Sequence, residues 1–559
     1  MDESRKTETR GLTRREALRL TGIAIGGFAV GGVLACPETV NADTCDNCCP
    51  EPDTGCKWYN PDKTNYAAVP PGYKSSQKYS YFETLDYFYP YIKSHTTIAK
   101  LDADQMRITF MGSAIPQARR AQQMMSVFVE VGWNDETQMP SDQFVFDCGA
   151  GVCANYGAMN VGFGRMDKVF IAHLHGDHMS DLAHIYCFGP STDRKSPLYV
   201  WGPGPSGVES PKGSGKYYND GTKAFCTHLR EACRWHSESF SFQTTRYPGY
   251  PTKNQIQQMW GLPCKPVPVS DDHWGDAYAI VPIQLNWKKY GKVPGDNIAY
   301  CNQTTGVKIT HFPVIHCRKG SMGYKLEWWP PGKDMRDPAQ AITMIYTSDT
   351  KPEIHSRNQA INGGGGVDVF IHEMIIPPNV WAMKYTDPIQ PIGPEEPPPS
   401  SDPSVQQTAM VQNSSHSPQG AFGYLLSQIH PRPRLTVATH FPVADDTVSC
   451  AMNSVQEYFP DTVVYQGNDA PQEAVRITWS FDLMVITASK DKIVEQRGYV
   501  SDFGFAPMVN LPSGNAFPPK YHDIQGDGDP FAQIDTSTEI PACDCITEPD
   551  TCNYRGDGY

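Results

Sequence analysis

Three histidines and an aspartate stand within six residues, in the segment HLHGDH that begins at His173. The segment follows an apolar run over 168–172, whose length and β-branched content predict a buried strand. A turn after a strand can direct several side chains into one pocket, and imidazole and carboxylate groups are ligands of divalent metals. The spacing predicts a binuclear metal site, in which His173 and His175 serve one ion and Asp177 and His178 serve the other.

A histidine-rich solvated loop is the alternative interpretation. The chain has only 16 His in 559 residues, so chance explains this cluster less well than a metal does. A two-metal site needs more ligands than one segment supplies. Three further residues, His316, Asp349 and His440, each follow an apolar, strand-like run. Each alone is typical of a loop residue, but together with the first segment they complete a ligand set.

Several motifs resemble, in order along the chain, those of the metallo-β-lactamase superfamily, and within it the RNase Z and arylsulfatase-like branch. They are FMGS at 110–113, FDCGAG at 146–151, the histidine segment, VWGP at 200–203, His316 with GY at 323–324, SDT at 348–350, His372-Glu373, His416-Ser417 and Thr439-His440. The resemblance covers about 106–190 and 306–490. It implies an α/β fold, the αββα metallo-β-lactamase sandwich, with a long insertion and Cys-rich terminal extensions.

The resemblance also implies the distribution of ligands between two Zn²⁺ ions. The first ion is held by His173, His175, His316 and Asp349, and the second by Asp177, His178, Asp349 and His440. Asp349 then bridges the ions, with a water or hydroxide between them. Imidazole and carboxylate donors also bind Mn²⁺ or Fe²⁺, so the sequence leaves the identity of the physiological metal open.

Three residues are implied to act in catalysis. Asp177 can accept a proton from the attacking water. Glu373 and His416 resemble a pair in which the carboxylate orients an imidazole that stabilises the attacked group or protonates the leaving oxygen. Ordinary hydrogen-bonded packing is the equally weighted alternative for this pair.

The first 42 residues have the pattern of an export signal. A twin-arginine motif, TRREAL at 13–18, precedes an apolar, glycine-rich stretch over 22–35, and VNA at 40–42 offers a cleavage site. These features predict a signal peptide over 1–42, recognition by the twin-arginine export machinery and a periplasmic or secreted protein. A lipobox-like VLAC ending at Cys36 makes a lipid anchor the less favoured alternative, and no other segment predicts a stable membrane span.

The mature chain is predicted to have three regions. They are a Cys-rich extension over 43–105, a metallo-β-lactamase-like domain over 106–495 and a Cys-containing tail over 496–559. The domain carries an insertion over about 190–305 and a Pro-rich loop over 387–403. Several of the 17 Cys crowd both ends of the chain. In an exported protein this favours disulfides, with a zinc knuckle as the alternative.

The formal net charge of −14 argues against a nucleic-acid partner, because an acidic surface repels polyanions. The insertion carries aromatic residues such as Trp235, Trp260 and Trp287, together with His236, where RNase Z has a basic arm. They predict either a lid over a small-molecule substrate or the core of the insertion itself.

The favoured function is an exported, binuclear zinc hydrolase of a small ester, through attack by a metal-bridging hydroxide. A phosphodiester or an aryl sulfate ester is the leading substrate class. A lactonase or amide hydrolase of secondary metabolism is the alternative enzyme, and a non-catalytic metal- and ligand-binding protein is the alternative class. The leaving group and a homo-oligomeric state stay open.

Overall fold

The computed structural model describes residues 86–88, 99–116, 122–240, 255, 278–291, 295–361, 366–386, 401–443, 445–459, 462–464 and 475–498. Several sequence predictions fall outside the described residues: the signal peptide over 1–42 with Cys36, most of the Cys-rich extension, Trp260, nearly all of the loop 387–403 and the tail from 499 onward. The predicted catalytic and metal-binding residues all lie within the described part.

The strands in the described chain are β1 (Asp86–Phe88), β2 (Met106–Gly112), β3 (Ser126–Val131), β4 (Asp142–Phe146), β5 (Lys168–Phe170), β6 (Leu198–Pro203), β7 (Ile280–Leu285), β8 (Ile298–Asn302), β9 (Val307–Pro313), β10 (Met322–Trp328), β11 (Ile342–Tyr346), β12 (Val369–Glu373), β13 (Leu435–Thr439), β14 (Thr462–Val464), β15 (Val475–Trp479), β16 (Met484–Ala488) and β17 (Ile493–Gly498). They form two mixed sheets. The first has the order β1-β17-β16-β2-β3-β4-β5-β6-β7, and the second has the order β14-β15-β13-β12-β11-β10-β9-β8.

The α-helices in the described chain are α1 (Val152–Ala158), α2 (Gly176–Met179), α3 (Leu182–Phe188), α4 (Thr222–Ala232), α5 (Arg234–Phe240), α6 (Ile354–Ile361), α7 (Pro378–Thr386), α8 (Pro403–Ser415), α9 (Gln419–Ser427) and α10 (Asp445–Tyr458). Among the described residues, no helix has the length and apolar character needed to cross a membrane.

The two sheets share one apolar core. Alternation along β2 shows how it forms: Met106 and Phe110 enter the core that also contains side chains of the second sheet, whereas Met111 belongs to a separate apolar cluster. Within the shared core the rings of Phe170 and Trp201 stack with centroids 4.5 Å apart. Complete burial of one such side chain stabilises the fold by about 1.5–3 kcal/mol.

Helices complete the sandwich. Tyr156 of α1, Ile185 of α3 and Cys226 of α4 pack with the outer face of the first sheet. Phe422 of α9 and Val455 of α10 join the main core with the second sheet. The described residues therefore confirm the predicted α/β class with two large mixed sheets.

The structure narrows the predicted insertion over 190–305. β6, β7 and β8 fall inside it, yet they are integral to the sheets, because side chains such as Val200 are fully buried. The segment added to the sheets therefore covers only about 204–279. α4 and α5 are separate helices, because the backbone leaves the helical conformation at Cys233.

A buried carboxylate fastens the turn between β15 and β16 to the first sheet. Asp482 accepts hydrogen bonds from Ser113 Oγ at 2.9 Å, Gln123 N at 2.6 Å and Asn155 Nδ2 at 2.9 Å. Burial raises the pKa of Asp482 to about 7, because the hydrogen bonds only partly replace the lost hydration. The folded state consequently holds a proton that the unfolded chain releases at a lower pH.

We expect Asp482→Asn to change the pH dependence of stability. Between about pH 4 and pH 7 the unfolded wild-type chain ionises at this position while the folded chain stays protonated, so the wild type loses up to about 1.4 kcal/mol per pH unit relative to the variant. Denaturant unfolding at several pH values measures the difference. Asp491→Asn, at an exposed position after β16, is the matched control. A difference between wild type and Asp482→Asn that stays constant with pH would contradict this account.

Candidate metal centre

The predicted metal-type side chains follow the ends of strands. His173 comes three residues after β5, Asp349 three residues after β11, and His440 directly after β13. β4 and β5 pair in parallel in one sheet, and β11, β12 and β13 pair in parallel in the other. Neighbouring parallel strands end at a common edge, which is where such sheets place their sites. His316 joins these residues from the loop between β9 and β10.

The first ligand group consists of three imidazoles. His175 Nδ1 lies 3.2 Å from His316 Nε2. The ring of His173 lies 4.5 Å from that of His175 and 4.7 Å from that of His316, measured between centroids. Asp349 Oδ2 lies 3.9 Å from His173 Nε2 and 3.8 Å from His316 Nε2. His173 and His316 therefore each present a nitrogen toward one oxygen of Asp349, and His175 lies beside both rings.

The second ligand group consists of two carboxylates and two imidazoles. His178 Nε2 lies 3.3 Å from Asp177 Oδ2 and 3.2 Å from Asp349 Oδ1. His440 Nε2 lies 3.3 Å from Asp177 Oδ2 and 3.6 Å from Asp349 Oδ1. All four residues are buried. The two oxygens of Asp349 thus face different groups, as a bridging ligand requires.

Both groups suit divalent metal ions. Two donor atoms on one tetrahedral zinc are about 3.3 Å apart, which agrees with the distances of 3.2, 3.3 and 3.6 Å in the second group. Among the described residues, both ring nitrogens of His173, Nε2 of His178 and Oδ1 of Asp349 are buried without a hydrogen-bond partner. Unpartnered buried donors and acceptors are costly, and coordination to a metal satisfies them.

Asp147, at the end of β4, orients one of these ligands. Its Oδ2 accepts hydrogen bonds from His178 Nδ1 at 2.8 Å, Tyr346 Oη at 2.6 Å and Ser348 Oγ at 3.0 Å. Because His178 Nδ1 carries the donated proton, its Nε2 faces Asp349. The motif at 146–151 contains Asp147, but the sequence prediction gave it no role. Its position directly after a strand is the signal that could have indicated a role at the site.

The backbone around the site adopts an unusual conformation at three non-glycine residues. The φ angles are +57° at Asp147, +54° at Ser348 and +59° at His440. Left-handed backbone at such residues costs about 1–3 kcal/mol each and persists only where the surroundings impose it. Hydrogen bonds to Asp147 and the packing of β13 supply that constraint, so the turns hold their side chains in fixed positions.

The electrostatics of the second ligand group favour positive charge. Burial alone would lower the pKa of His440, but the carboxylates of Asp349, Asp177 and Glu373 raise it to about 10. Burial would also lower the pKa of His178, but the carboxylates of Asp349, Asp177 and Asp147 raise it well above its usual range. Buried carboxylates that favour cationic imidazoles also favour a metal cation.

Glu373 and His416 lie beside the ligands. His416 Nδ1 donates a hydrogen bond to Glu373 Oε2 at 2.8 Å and lies 3.9 Å from Asp349 Oδ2. Glu373 also accepts a hydrogen bond from the Thr350 backbone N–H, and its Oε2 is 3.5 Å from His440 Nδ1. The structure therefore brings the predicted catalytic pair to the candidate metal ligands.

The aromatic residues and the histidine of the predicted insertion over 190–305 have other contacts. His236 Nε2 donates to the backbone oxygen of Cys187 at 2.7 Å and does not join the ligand groups. Trp235 is 90% exposed, so it does not form a core for the segment. Trp287 packs so closely on Gly320 that a Cβ there would lie 2.9 Å from its Nε1. Trp287 thus supports the loop that carries His316.

Comparisons with known proteins give local sequence relatives. No family model matches the chain. Ribonuclease Z of Treponema denticola is 37% identical over 62 residues, which are 11% of this chain and 20% of that protein. Ribonuclease BN of Citrobacter koseri is 28% identical over 100 residues, 18% of this chain and 31% of that protein. The chain thus spans between a fifth and a third of these relatives, and the predicted resemblance to RNase Z is confirmed over that part.

Among solved structures, the metallo-β-lactamase fold protein YhfI from Bacillus subtilis has 12% identity and a TM-score of 0.37, covering 69% of this chain and 100% of its own. The short form of human tRNase Z has 16% identity and a TM-score of 0.36, covering 68% of this chain and 98% of its own.

We expect Asp147→Asn to weaken metal binding by about 10- to 100-fold, because the amide no longer fixes the ring orientation and tautomer of His178. Competition with a chromogenic zinc chelator measures the affinity, and far-ultraviolet circular dichroism checks the fold. Asp135→Asn, which alters an exposed carboxylate paired with Lys100, is the matched control. An unchanged affinity in Asp147→Asn would show that this hydrogen bond does not position a ligand.

Proposed function

We propose that the chain is an exported, binuclear metal-dependent hydrolase of the metallo-β-lactamase superfamily that cleaves a phosphodiester bond in a small substrate. One observation carries the proposal: the two oxygens of the buried Asp349 face two separate ligand groups. The first group, with His173, His175 and His316, supplies neutral donors that suit zinc. The second group, with Asp177, His178 and His440, supplies the additional charge that a second dication needs.

Two divalent ions held there would lower the pKa of a water molecule toward neutrality and neutralise charge that develops on the ester. The protein supplies the remaining functions. Asp177 is fixed by two imidazoles through its Oδ2, at 3.3 Å from each. Its other oxygen can accept the proton of an attacking water. Asp349 and Asp147 keep the ligands in position.

His416 is the candidate proton donor to the leaving oxygen. Its side chain is 17% exposed, so it reaches both the buried ligands and solvent. Burial lowers its pKa, but the ion pair with Glu373 outweighs burial and raises it. The raised pKa favours the protonated imidazole, and Glu373, which is fully buried, acts as its positioning residue.

Two lysines beside the ligand loops favour an anionic ester. Lys351 follows Asp349 by two residues and is partly buried, and Lys319 follows His316 by three residues and is exposed. Within the described residues, neither ammonium group has a side-chain partner, whereas Arg318 is paired with Asp220. Two cations that follow ligand residues so closely in the sequence, in a chain of net charge −14, support selection of a small anion over a polyanion.

The phosphodiester class is preferred to aryl sulfate because the sequence relatives are ribonucleases by name. Export through the twin-arginine route and a periplasmic or secreted location are part of the proposal, supported by the motif at 13–18. A screen of the zinc-loaded chain with chromogenic substrates tests this choice of substrate class. Preferred turnover of an aryl sulfate, a carboxylate ester or a lactone would be the other outcome.

We expect His416→Ala to lower kcat by about 10²–10⁴-fold on an alkyl phosphodiester, because that leaving group needs protonation. The loss should be much smaller on bis(nitrophenyl) phosphate, whose leaving group departs as an anion. Metal content, measured by atomic emission, should not change. Asp177→Ala should abolish the turnover of both substrates.

Glu373→Gln should give an intermediate loss with the same dependence on the leaving group. His355→Ala, on a partly buried residue of α6, is the matched histidine control. Equal losses of His416→Ala on the two substrates would exclude its role as a general acid.

We expect Lys351→Met to raise KM for the phosphodiester by about three- to tenfold, since one charge contact is lost while the aliphatic side chain is kept. KM for an uncharged carboxylate ester of similar size should stay the same. Steady-state kinetics on both substrates test this. An equal rise of KM on the two substrates would indicate a structural effect instead of charge recognition.

A further inference from the structure

The side chain of Gln122, shortly before β3, holds the residues that follow the candidate ligand His440. Its Nε2 donates a hydrogen bond to the backbone oxygen of Phe441 at 3.1 Å, and its Oε1 accepts one from the backbone N–H of Val443 at 3.1 Å. The same Nε2 donates to Ser113 Oγ at 3.0 Å. One amide group therefore pairs with both a carbonyl and an N–H of the segment after His440.

The backbone partners fix the orientation of this amide. A carbonyl only accepts and a backbone N–H only donates, so exchanging the amide oxygen and nitrogen of Gln122 would place like groups against each other. Gln122 is 2% exposed, and Phe441 and Val443 are buried. Removal of the amide would deprive two buried backbone groups of this partner, which is unfavourable. The segment after His440 is therefore held in one position.

His440 needs this restraint because its backbone is left-handed, with a φ angle of +59°. On the N-terminal side, β13 is paired with β12 as far as Thr439. On the C-terminal side, Phe441 N donates to the backbone oxygen of Ser113 at 3.3 Å, beside the bonds of Gln122. A strained conformation persists only where its surroundings impose it. Restraints on both sides of His440 thus fix the position from which its ring extends.

The chain around Gln122 also contacts another residue of the second ligand group. Met125 N donates to the backbone oxygen of Asp177 at 3.1 Å. Thr439 Oγ1, directly before His440, donates to Met125 Sδ at 3.4 Å. Within the described residues, none of the hydrogen bonds of the Gln122 side chain reaches the first ligand group. The restraint is therefore specific to the second group.

We propose that Gln122 is a positioning residue for the second metal ion and acts through the turn at His440. The inference rests on the proposed binuclear centre and concerns only one of its two ions. Loss of the amide should let the His440 ring move, which weakens the second ion and leaves the first ion bound. Removal of a group that orients a metal ligand lowers metal affinity by about 10- to 100-fold.

Zinc affinities of the full-length chain test the proposal. Competition with two chromogenic chelators of different strength gives a dissociation constant for each ion, and Asp177→Ala identifies the constant that belongs to the first ion. Gln122→Met keeps the length of the side chain and removes its hydrogen-bonding groups. It should raise the dissociation constant of the second ion by about 10- to 100-fold and leave that of the first unchanged.

A buried glutamine elsewhere in the fold provides the matched control. Gln359 lies in α6, and its Nε2 donates to Tyr290 Oη at 2.6 Å. Gln359→Met should leave both zinc dissociation constants unchanged. A double variant then separates positioning from general loosening of the fold. Because Asp177→Ala already removes a ligand of the second ion, adding Gln122→Met to it should not change the affinity for the first ion.

Gln122→Asn keeps the amide but shortens the side chain, and it should give a smaller loss of the same ion. It replaces Gln122→Met in the comparison if circular dichroism shows that the latter is unfolded. A fall of both zinc affinities in the folded variant, or no fall in either, would overturn the proposal. A wild-type chain that binds fewer than two zinc ions would instead overturn the binuclear centre itself.

Discussion

The rest of the structure depends on the burial of several carboxylate and imidazole groups around Asp349. Some of these groups repel one another, and others have no hydrogen-bond partner. Asp349 lies between two clusters of side chains, with one oxygen toward His173 and His316 and the other toward His178 and His440. Desolvating these groups is costly unless opposite charge compensates it. In the proposed function, two metal cations would provide that compensation, and the same charge would assist the hydrolysis of an ester. Stability of the site and its chemistry therefore have one physical origin.

The fold supplies the positions that this arrangement needs. Parallel strands from two sheets end near each other, and short turns after β5, β11 and β13 deliver the ligands. The backbone is left-handed at Asp147, Ser348 and His440, which indicates that packing of the surrounding core stabilises a locally strained conformation. Asp147 and Glu373 then fix ring orientations, so the reacting groups need little reorganisation.

Much of the site was predictable from the sequence because it is coded locally. His173, His175, Asp177 and His178 stand in one segment, and Asp349 and His440 each follow an apolar strand, so residue type and position sufficed. The hydrogen bonds of Asp147 were not predictable, since its partners Tyr346 and Ser348 are distant in the chain. The length of the added segment was also not predictable, because the residues of β6 and β7, which belong to the first sheet, were assigned to a long insertion.

The most direct test of the central claim is a crystal structure of the zinc-loaded chain with anomalous diffraction recorded on both sides of the zinc absorption edge. A binuclear centre should give two anomalous peaks about 3.5–4 Å apart on either side of the Asp349 carboxylate. One peak should be bound by His173, His175 and His316, and the other by Asp177, His178 and His440. A single peak, or two peaks that do not share Asp349, would contradict the binuclear centre and the mechanism derived from it.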